Sequence, residues 1–281
     1  MGNEFKKPII HYETKEFITR YLLIGAVSFF FLLLILMPLG SMFYYSTSEG
    51  LLAFFKAVTS PAALFALKFS IILAASTALC NIFIGTLSAY VLVRYNFPGK
   101  GLLNAVVDLP IAVPTAVTGF TLLLLYGPIG IFGNYLSQHG ITVLQAFPGI
   151  LLAHVFVTFP FVIRSVGGVL EGVERNYEEV AKTLGASRFQ IFRHITLPSI
   201  KGGLVSGSIL TFARSLGEFG ATMMISGNIV MKTQTAPLFI FQKIQEMDYT
   251  GASAMAILLA LSSFAMLYSL KFLTKGKEEK T

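Results

Sequence analysis

Cysteine and charge are both scarce in this sequence of 281 residues. The single cysteine, Cys80, excludes a disulfide within the chain and any metal site built from several cysteines. We interpret Cys80 as a small buried apolar residue. Charged residues make up 12% of the chain, whereas soluble domains carry about 25%. The shortage of charge therefore points away from an ordinary soluble domain.

The motifs of common catalytic and cofactor sites are missing too. A Gly99-Lys100 pair is present, but Arg94 occupies the place of the first glycine of a phosphate-binding loop. The chain thus has no Walker motif and should not bind ATP itself. The four histidines, at positions 11, 139, 154 and 194, lack the spacing of a zinc site, and no Gly-x-Ser-x-Gly elbow occurs. We expect neither enzymatic activity nor a bound metal or cofactor in this chain.

Long apolar runs dominate what the sequence does contain. Hydrophobic residues make up 54% of it, and a bilayer core about 30 Å thick needs roughly 20 apolar residues per helical span. The runs that reach this length are 21–45, 65–93, 102–126, 149–170, 202–225 and 251–273. Because lipid offers backbone amides no partners, these runs should be helices. The sequence predicts an all-α polytopic membrane protein with six transmembrane helices.

Basic residues fall unevenly on the two sides of these spans. One side, with the segment 1–20, the loop 171–201 and the tail 274–281, holds most of the 21 lysines and arginines. The other side holds only Lys56, Lys68, Lys232 and Lys243. The positive-inside rule then places both termini and the loop in the cytoplasm of a plasma-membrane protein. The first run is too long for a cleaved signal, so we predict a retained span, and a nucleic-acid partner is not expected.

The stretch 176–198, NYEEVAKTLGASRFQIFRHITLP, is polar although it lies between apolar runs. Two short helices are predicted in it. Capping-box spacing occurs twice, at Asn176–Glu179 and at Ser187–Gln190. Gly185 suits the left-handed turn that ends the first helix, and Pro198 should close the second. A helix–turn–helix between membrane spans favours a docking point for a soluble partner.

The same stretch resembles the EAA loop in the permease subunits of bacterial and archaeal ABC importers. The matching residues are Glu179-Val180-Ala181, Gly185 and Ile195-Thr196-Leu197-Pro198, with Val180 in place of the usual alanine. Since valine is β-branched and slightly larger, the local fit should differ while the helix persists. In that family the loop is the cytoplasmic coupling element, held in a cleft of the ATPase subunit. The resemblance therefore implies ATPase-coupling roles for Glu178, Glu179, Ala181, Leu184, Gly185, Ala186 and Arg188.

Two prolines distinguish the third predicted span. Pro110 and Pro114 stand four residues apart, and Thr115 follows. Each proline removes a backbone donor and kinks a helix. The span is either a kinked packing helix or a bent helix beside a translocation pathway. Pro110, Pro114 and Thr115 are accordingly candidate pathway or gate residues.

Two opposite charges lie inside the fifth predicted span. Arg214 and Glu218 stand four residues apart, which would place them on one face of a helix. A charge within a bilayer is costly unless it is paired or faces a wet cavity. The two residues either form an ion pair that fixes helix packing or border the translocation pathway, and both interpretations stay open.

These two spans sharpen the resemblance towards permeases for tetrahedral oxyanions, namely molybdate, tungstate and sulfate. The similar segments are 212–222 (FARSLGEFGAT) and 226–228 in the fifth span, 108–110 and 114–117 in the third, and the external stretches 231–238 and 248–249. The external stretches resemble sulfate permeases more than molybdate permeases. The resemblance covers roughly residues 65–273. It implies the type I ABC importer permease fold, with coupling helices between spans 4 and 5.

The resemblance also implies an ATP-driven importer with several partners. Two ATPase subunits, which bind ATP and magnesium, would grip the loops 171–201 of two permeases, either two copies of this chain or two related chains. An external oxyanion-binding protein would deliver the anion, and membrane lipid would surround the spans. The external cations Lys232 and Lys243 are the candidate docking residues for that protein.

Two other functions stay open on the sequence alone. The EAA loop serves all importers of this kind, so an importer for another solute class is compatible with it. An ion-coupled secondary transporter would lack an ATPase partner and would use carboxylates such as Asp108 and Glu218 as coupling groups. Co-purification of an ATPase subunit, followed by anion uptake, discriminates among the three.

Overall fold

A computed structural model describes the backbone of residues 10–278 and the side chains of residue 17 and residues 19–269. Within these residues every regular element is helical. The helices are α1 (Ile10–Thr47), α2 (Leu51–Thr59), α3 (Pro61–Arg94), α4 (Lys100–Ala112), α5 (Thr115–Tyr126), α6 (Ile131–Gln138), α7 (Phe147–Glu171), α8 (Arg175–Thr183), α9 (Arg188–Ile191), a π-helical turn (Phe192–Thr196), α10 (Leu197–Ser199), α11 (Lys201–Leu216), α12 (Gly220–Ser226), α13 (Ala236–Gln245) and α14 (Tyr249–Glu278). The predicted segment 1–20 and tail 274–281 lie partly outside the described residues.

Local sequence signals set the ends of the long helices. The Ser60 hydroxyl accepts a hydrogen bond from Ala63 N–H at 3.3 Å, and Pro61 occupies the first turn of α3, where a missing N–H leaves no bond unmade. The helix ends at Arg94. Gly99, with a φ of +85°, then turns the chain into α4.

In the part of the chain that the structure describes, four helical segments are long and apolar enough to cross a bilayer as single elements. They are Thr19–Thr47, Pro61–Arg94, Phe147–Glu171 and Tyr249–Ser269, and they match the first, second, fourth and sixth predicted runs. The other two runs are broken: the third is bent, as its prolines predict, whereas the prediction of one continuous helix is wrong for the fifth. The third run is divided into α4 and α5, which are bent by 108°, and the fifth is divided into α11 and α12 by residues 217–219. Length and composition thus give four spans, or five with the bent pair.

Helix α7 is the centre of the bundle. It packs against α3, α4, α5, α11 and α12, and small residues bring the backbones close together. A Cβ on Gly85 of α3 would lie 2.8 Å from Val162 Cβ, and one on Gly207 of α11 would lie 2.9 Å from Val162 Cα. Since lipid is as apolar as leucine, such close packing holds membrane helices together. Helix α7 therefore acts as a fixed frame for the helices around it.

Helix α1 stands apart from this frame. It packs mainly against α14 and α2, and none of the side chains in its most apolar window is buried. Phe29, Phe30 and Phe31 are all more than 60% exposed. An apolar face of this extent is not stable in water, so it contacts lipid or another subunit.

Candidate functional site

The third predicted span is broken where its second proline falls. Pro110 lies inside α4, and Val113 adopts an extended conformation before Pro114, which precedes the first turn of α5. A residue before proline is forced out of the helical region, which explains why α4 ends there. The proline-induced kink is confirmed, and at 108° it separates two helices.

The two broken spans meet at their breaks. A Cβ on Gly220, the first residue of α12, would lie 2.4 Å from Thr115 Oγ1 and 2.9 Å from the Ala116 nitrogen. A Cβ on Gly119 of α5 would lie 2.7 Å from the Ala221 Cα. Only glycine allows the backbones of α5 and α12 to approach this closely. The N-terminal ends of two half-helices are therefore held side by side.

A cavity of about 320 Å³ opens beside this meeting point. It is lined by Pro110, Ile111, Ala112, Val113, Pro114, Thr115, Val157, Phe161 and Arg214. Four of the five residues predicted to border a pathway, Pro110, Pro114, Thr115 and Arg214, thus lie around one cavity. The fifth, Glu218, is buried behind Arg214.

Arg214 and Glu218 form an ion pair, one of the two arrangements that the sequence left open, with 2.6 Å between Nη1 and Oε2. Their predicted placement on one continuous helix face is wrong, because α11 ends at Leu216 and Glu218 lies in the break. There the Glu218 carboxylate accepts a hydrogen bond from Ala221 N–H at 2.9 Å, one of the N–H groups at the start of α12 that have no partner within the helix.

Only the arginine of this ion pair is accessible. The Glu218 side chain is 1% exposed, whereas that of Arg214 is 37% exposed. The approach to Glu218 Oε2 is not aligned as a hydrogen bond, so the contact is mainly Coulombic. Within the described residues the Arg214 side chain makes no other ion pair and no hydrogen bond, and Arg214 is among the residues that line the cavity, so its guanidinium has N–H donors to spare.

Sequence reasoning missed a buried histidine at this site. His154 of α7 is 2% exposed, and its Nδ1 and Nε2 lie 2.7 Å from Ser215 Oγ and Thr222 Oγ1 respectively. In the sequence His154 is one of four scattered histidines. The available signal was its position inside an apolar run, where an ionisable residue marks a functional site by default.

The polar loop 171–201 forms a helix–turn–helix as predicted. Gly185 has a φ of +85° and ends α8. The second capping box is confirmed by reciprocal bonds between Ser187 and Gln190, at 3.3 Å and 2.8 Å. The first is wrong, because α8 already begins at Arg175 and Asn176 lies within its first turn. Helical structure continues to Ser199, one residue beyond Pro198.

A buried ion pair ties this loop to the end of α3. Arg94 Nε lies 3.1 Å from Glu178 Oε1, and both side chains are 7% exposed. Thr196 donates to the same carboxylate oxygen at 3.2 Å, and Arg94 also donates to Val173 O at 3.2 Å. Glu178 therefore faces inward, and Arg175 adds a further bond to the Arg94 carbonyl. The two helices of the loop and α3 are fastened to one another through one carboxylate.

The outer face of the loop is apolar. Tyr177, Val180, Leu184 and Phe189 are each more than half exposed, with Leu184 at 82%. Of the other predicted coupling residues, Glu179, Gly185 and Arg188 are exposed, and Ala181 and Ala186 are half-buried. Exposed apolar groups clustered among polar residues are typical of a surface that binds another protein.

The two external lysines differ in their surroundings. Lys243 lies 2.9 Å from Glu246 and 3.1 Å from Asp248. The hydrogen bond to Glu246 raises the pKa of Lys243, against its partial burial and with help from Asp248. Lys232 is exposed and has no ion pair within the described part of the chain. Lys232 is therefore the freer of the two for an outside partner.

The structure is thus a helical bundle with two broken helices that meet at their breaks and a helix–turn–helix between α7 and α11. Residues 81–278 match the family of binding-protein-dependent transport system inner membrane components. The chain belongs to this family, which comprises the permease subunits of ABC importers, and as such it is a transport subunit rather than an enzyme. Its resemblance to that family is thereby confirmed.

Relatives and solved structures agree with this assignment. The chain is 41% identical over 250 residues to the sulfate transport system permease protein CysT of Salmonella typhimurium, covering 89% of this chain and 90% of the relative. It is 38% identical over 253 residues to the CysW permease of Synechocystis, covering 90% and 92%. The resemblance to oxyanion permeases is confirmed by these relatives. A bacterial ABC transporter involved in alginate import has the same fold, with a TM-score of 0.79 at 16% identity over 95% of this chain and 99% of that one.

Proposed function

We propose that this chain is the permease subunit of an ATP-driven sulfate importer and forms its translocation pathway. Relatives that are about 40% identical over nine-tenths of the chain are named as sulfate permeases. The observation that carries the proposal is Arg214, whose guanidinium lines a cavity between two broken spans. A cation at such a place attracts a passing anion.

The geometry around Arg214 suits transient anion binding. Free N–H donors of the guanidinium make strong bonds to an oxyanion, and the N-terminal end of α5 at Thr115 adds a positive dipole at the cavity wall. Glu218 offsets part of the arginine charge from behind. A transport site must bind well enough to admit the ion and weakly enough to release it. The partial neutralisation therefore favours passage over retention.

The loop 171–201, here named the coupling loop, would carry motion between the ATPases and this site. Its apolar outer residues would fill a cleft in an ATPase subunit, which binds ATP and magnesium. Two ATPases would act on two permeases, this chain with a second copy or with a related permease, as the existence of both CysT and CysW relatives suggests. The excess of basic residues on the loop side supports a cytoplasmic location for both termini and the coupling loop.

Sulfate uptake in reconstituted vesicles tests the function directly. Vesicles that contain this permease, its ATPase and its external binding protein should accumulate labelled sulfate only with internal ATP. Molybdate and tungstate in excess report whether the pathway accepts the larger oxyanions. Uptake driven by an ion gradient without the ATPase would instead establish a secondary transporter. ATP-driven uptake of a non-anionic solute, with sulfate ignored, would establish an importer of another solute class.

Arg214→Gln should reduce sulfate uptake at least tenfold while the transporter still assembles. Glutamine keeps a polar side chain in the cavity but removes the charge that attracts the anion. The charge swap Arg214→Glu with Glu218→Arg preserves an ion pair and places a carboxylate in the cavity, so uptake should stay low. Arg20→Gln, the same change at an exposed site at the start of the first span, is the control. Normal uptake in the swapped protein would show that the pair only fixes helix packing.

Lys232→Gln should weaken stimulation of ATP hydrolysis by the external binding protein more than Lys243→Gln does. Both variants lose one external charge, but Lys243 is already matched by Glu246 and Asp248. Charges at the rim of an interface act mainly on the association rate and its salt dependence. Stimulation is measured against binding-protein concentration at two ionic strengths. A Lys232→Gln curve equal to that of the parent protein at both ionic strengths would exclude Lys232 as a docking residue.

A further inference from the structure

His154 joins the two halves of the fifth span across their break. Helix α11 ends at Leu216 and α12 begins at Gly220. Ser215 lies in the last turn of α11 and Thr222 in the first turn of α12. The two nitrogens of one imidazole ring contact these two hydroxyls, each at 2.7 Å. Among the described residues, no other side chain hydrogen-bonds to both half-helices.

The two hydrogen bonds that link Ser215 and Thr222 through His154, here called the bridge, are fully buried, and a neutral imidazole ring can form both. His154 and Ser215 are 2% exposed and Thr222 is 0% exposed. A neutral imidazole has one donor and one acceptor nitrogen, and a hydroxyl can take either role. Both bonds therefore form in either tautomer. A buried polar group that loses its partner is destabilised, which favours keeping both bonds intact.

The histidine itself is anchored to the rigid part of the bundle. Its carbonyl accepts a hydrogen bond from Thr158 Oγ1 at 2.6 Å. Asn81 of α3 donates to the same Thr158 hydroxyl at 2.8 Å. The chain of bonds runs from α3 through α7 to both halves of the fifth span. The ring is thus a fixed point against which the two half-helices are set.

Each residue that His154 holds is a neighbour of the ion pair. Ser215 follows Arg214 in the chain, and Thr222 follows Ala221, whose N–H binds the Glu218 carboxylate. We infer that His154 is a positioning residue, which sets the distance between the half-helices and thereby the placement of Arg214 and Glu218 at the cavity. The inference rests on the proposed role of Arg214 in anion transport. Alternating access would then require the two half-helices to move together with α7 or to release one of the two bonds.

Paired substitutions separate the bridge from general stability. Ser215→Ala with Thr222→Val removes both partners at little change in volume, and His154→Leu removes the ring. His154→Asn retains an amide near the Nδ1 position and His154→Gln retains one near the Nε2 position, so each keeps one bond. Thr211→Val is the matched control, because the buried Thr211 hydroxyl of α11 has no hydrogen-bond partner within the described residues.

The readout is the distance between the half-helices. Spin labels are placed at the exposed Leu210 and Met224 in a Cys80→Ala background, and pulsed electron resonance gives their distance distribution in the whole transporter. We expect a narrow distribution for the parent and for Thr211→Val, and a broad one for Ser215→Ala with Thr222→Val and for His154→Leu. Sulfate uptake per ATP hydrolysed should fall roughly 5- to 30-fold, because losing one or two buried hydrogen bonds shifts the equilibrium between set and displaced half-helices by about that factor. His154→Asn and His154→Gln should recover part of both values.

The distance measurement and the uptake measurement test different parts of the inference. A narrow distribution in folded transporter without the bridge would overturn the positioning role, whatever the uptake. Broadening in vesicles whose parent protein does not import sulfate would support the bridge and refute the proposed substrate. The amount of folded protein could instead fall in proportion to uptake, while the remaining folded protein keeps a narrow distance distribution. That result would show that the bridge serves stability alone, and it would also overturn the inference.

Discussion

Replacing Arg94 by methionine should detach the coupling loop from the membrane helices and abolish uptake. The change leaves the Glu178 carboxylate buried without its cation, which costs about 3–5 kcal/mol when a buried pair is broken from one side. The Thr196 hydroxyl alone cannot compensate, because it is neutral. We expect a lower unfolding temperature, loss of bound ATPase in co-purification and uptake near background.

The double variant Arg94→Met with Glu178→Met should recover most of the stability. Replacing both members of a buried pair by apolar groups of similar size is often neutral or stabilising. Uptake should recover less, because the bonds that Arg94 and Glu178 make to Val173 and Thr196 are lost as well. Lys243→Met, which breaks exposed pairs, is the control and should change stability by less than about 1 kcal/mol. A single Arg94→Met variant as stable as the control would refute the anchoring role.

Replacing Gly185 by valine should uncouple ATP hydrolysis from uptake. Two backbone bonds end α8 there, from Gly185 N–H to Lys182 O and from Ala186 N–H to Ala181 O, each at 3.0 Å. This is the Schellman arrangement, which requires a left-handed residue at the glycine position. A side chain in that conformation costs roughly 1–2 kcal/mol, and a β-branched one is worse. Relief of the strain would redirect the second helix of the coupling loop.

The space around Gly185 is open, so the effect of Gly185→Val should come from the backbone conformation rather than from the added Cβ. Beyond the neighbouring backbone, no heavy atom lies within 4 Å of a Cβ built on Gly185 or on Gly202, so an added Cβ meets no obstacle at either position. Gly202 has a helical backbone, and Gly202→Val should therefore be tolerated. Gly185→Asn, which accepts the left-handed conformation, should be milder than Gly185→Val. The ratio of sulfate imported to ATP hydrolysed, in membranes with equal amounts of permease, distinguishes these outcomes. An unchanged ratio in Gly185→Val would remove the coupling role from this turn.

The sequence predicted what depends on local chemistry. Long apolar runs became α1, α3, α7 and α14, proline broke the third span at Pro114, and glycine at position 185 took its left-handed turn. The break at residues 217–219 was missed because no proline marks it. The chain can break there because His154 and Glu218 form hydrogen bonds with groups of the half-helices. These contacts arise only in the packed bundle.

The same distinction applies to the site residues. Adjacent glutamates at 178 and 179 look equivalent in the sequence, yet one is buried against Arg94 and the other is exposed. The choice is made by the position of α3, more than 80 residues earlier in the chain. Likewise the partners of His154 lie 61 and 68 residues away. No local pattern carries such pairings, so the ion pair at Arg214 was predicted while its supports were not.

The isolation of α1 has a consequence for how the protein is made. Its apolar segment, Thr19–Thr47, has a mean hydropathy of 2.7, against 1.8 to 2.0 for the other single spans. Such a helix enters the bilayer without waiting for partners, whereas α11 carries an arginine whose insertion is costly alone. Because α3 and α7 precede α11 in the chain, the frame that receives Arg214 is already synthesised when α11 emerges from the ribosome. The helix that depends least on partners thus precedes α11, which follows the helices that receive its arginine, and chains ending after residue 95 should already resist extraction from membranes.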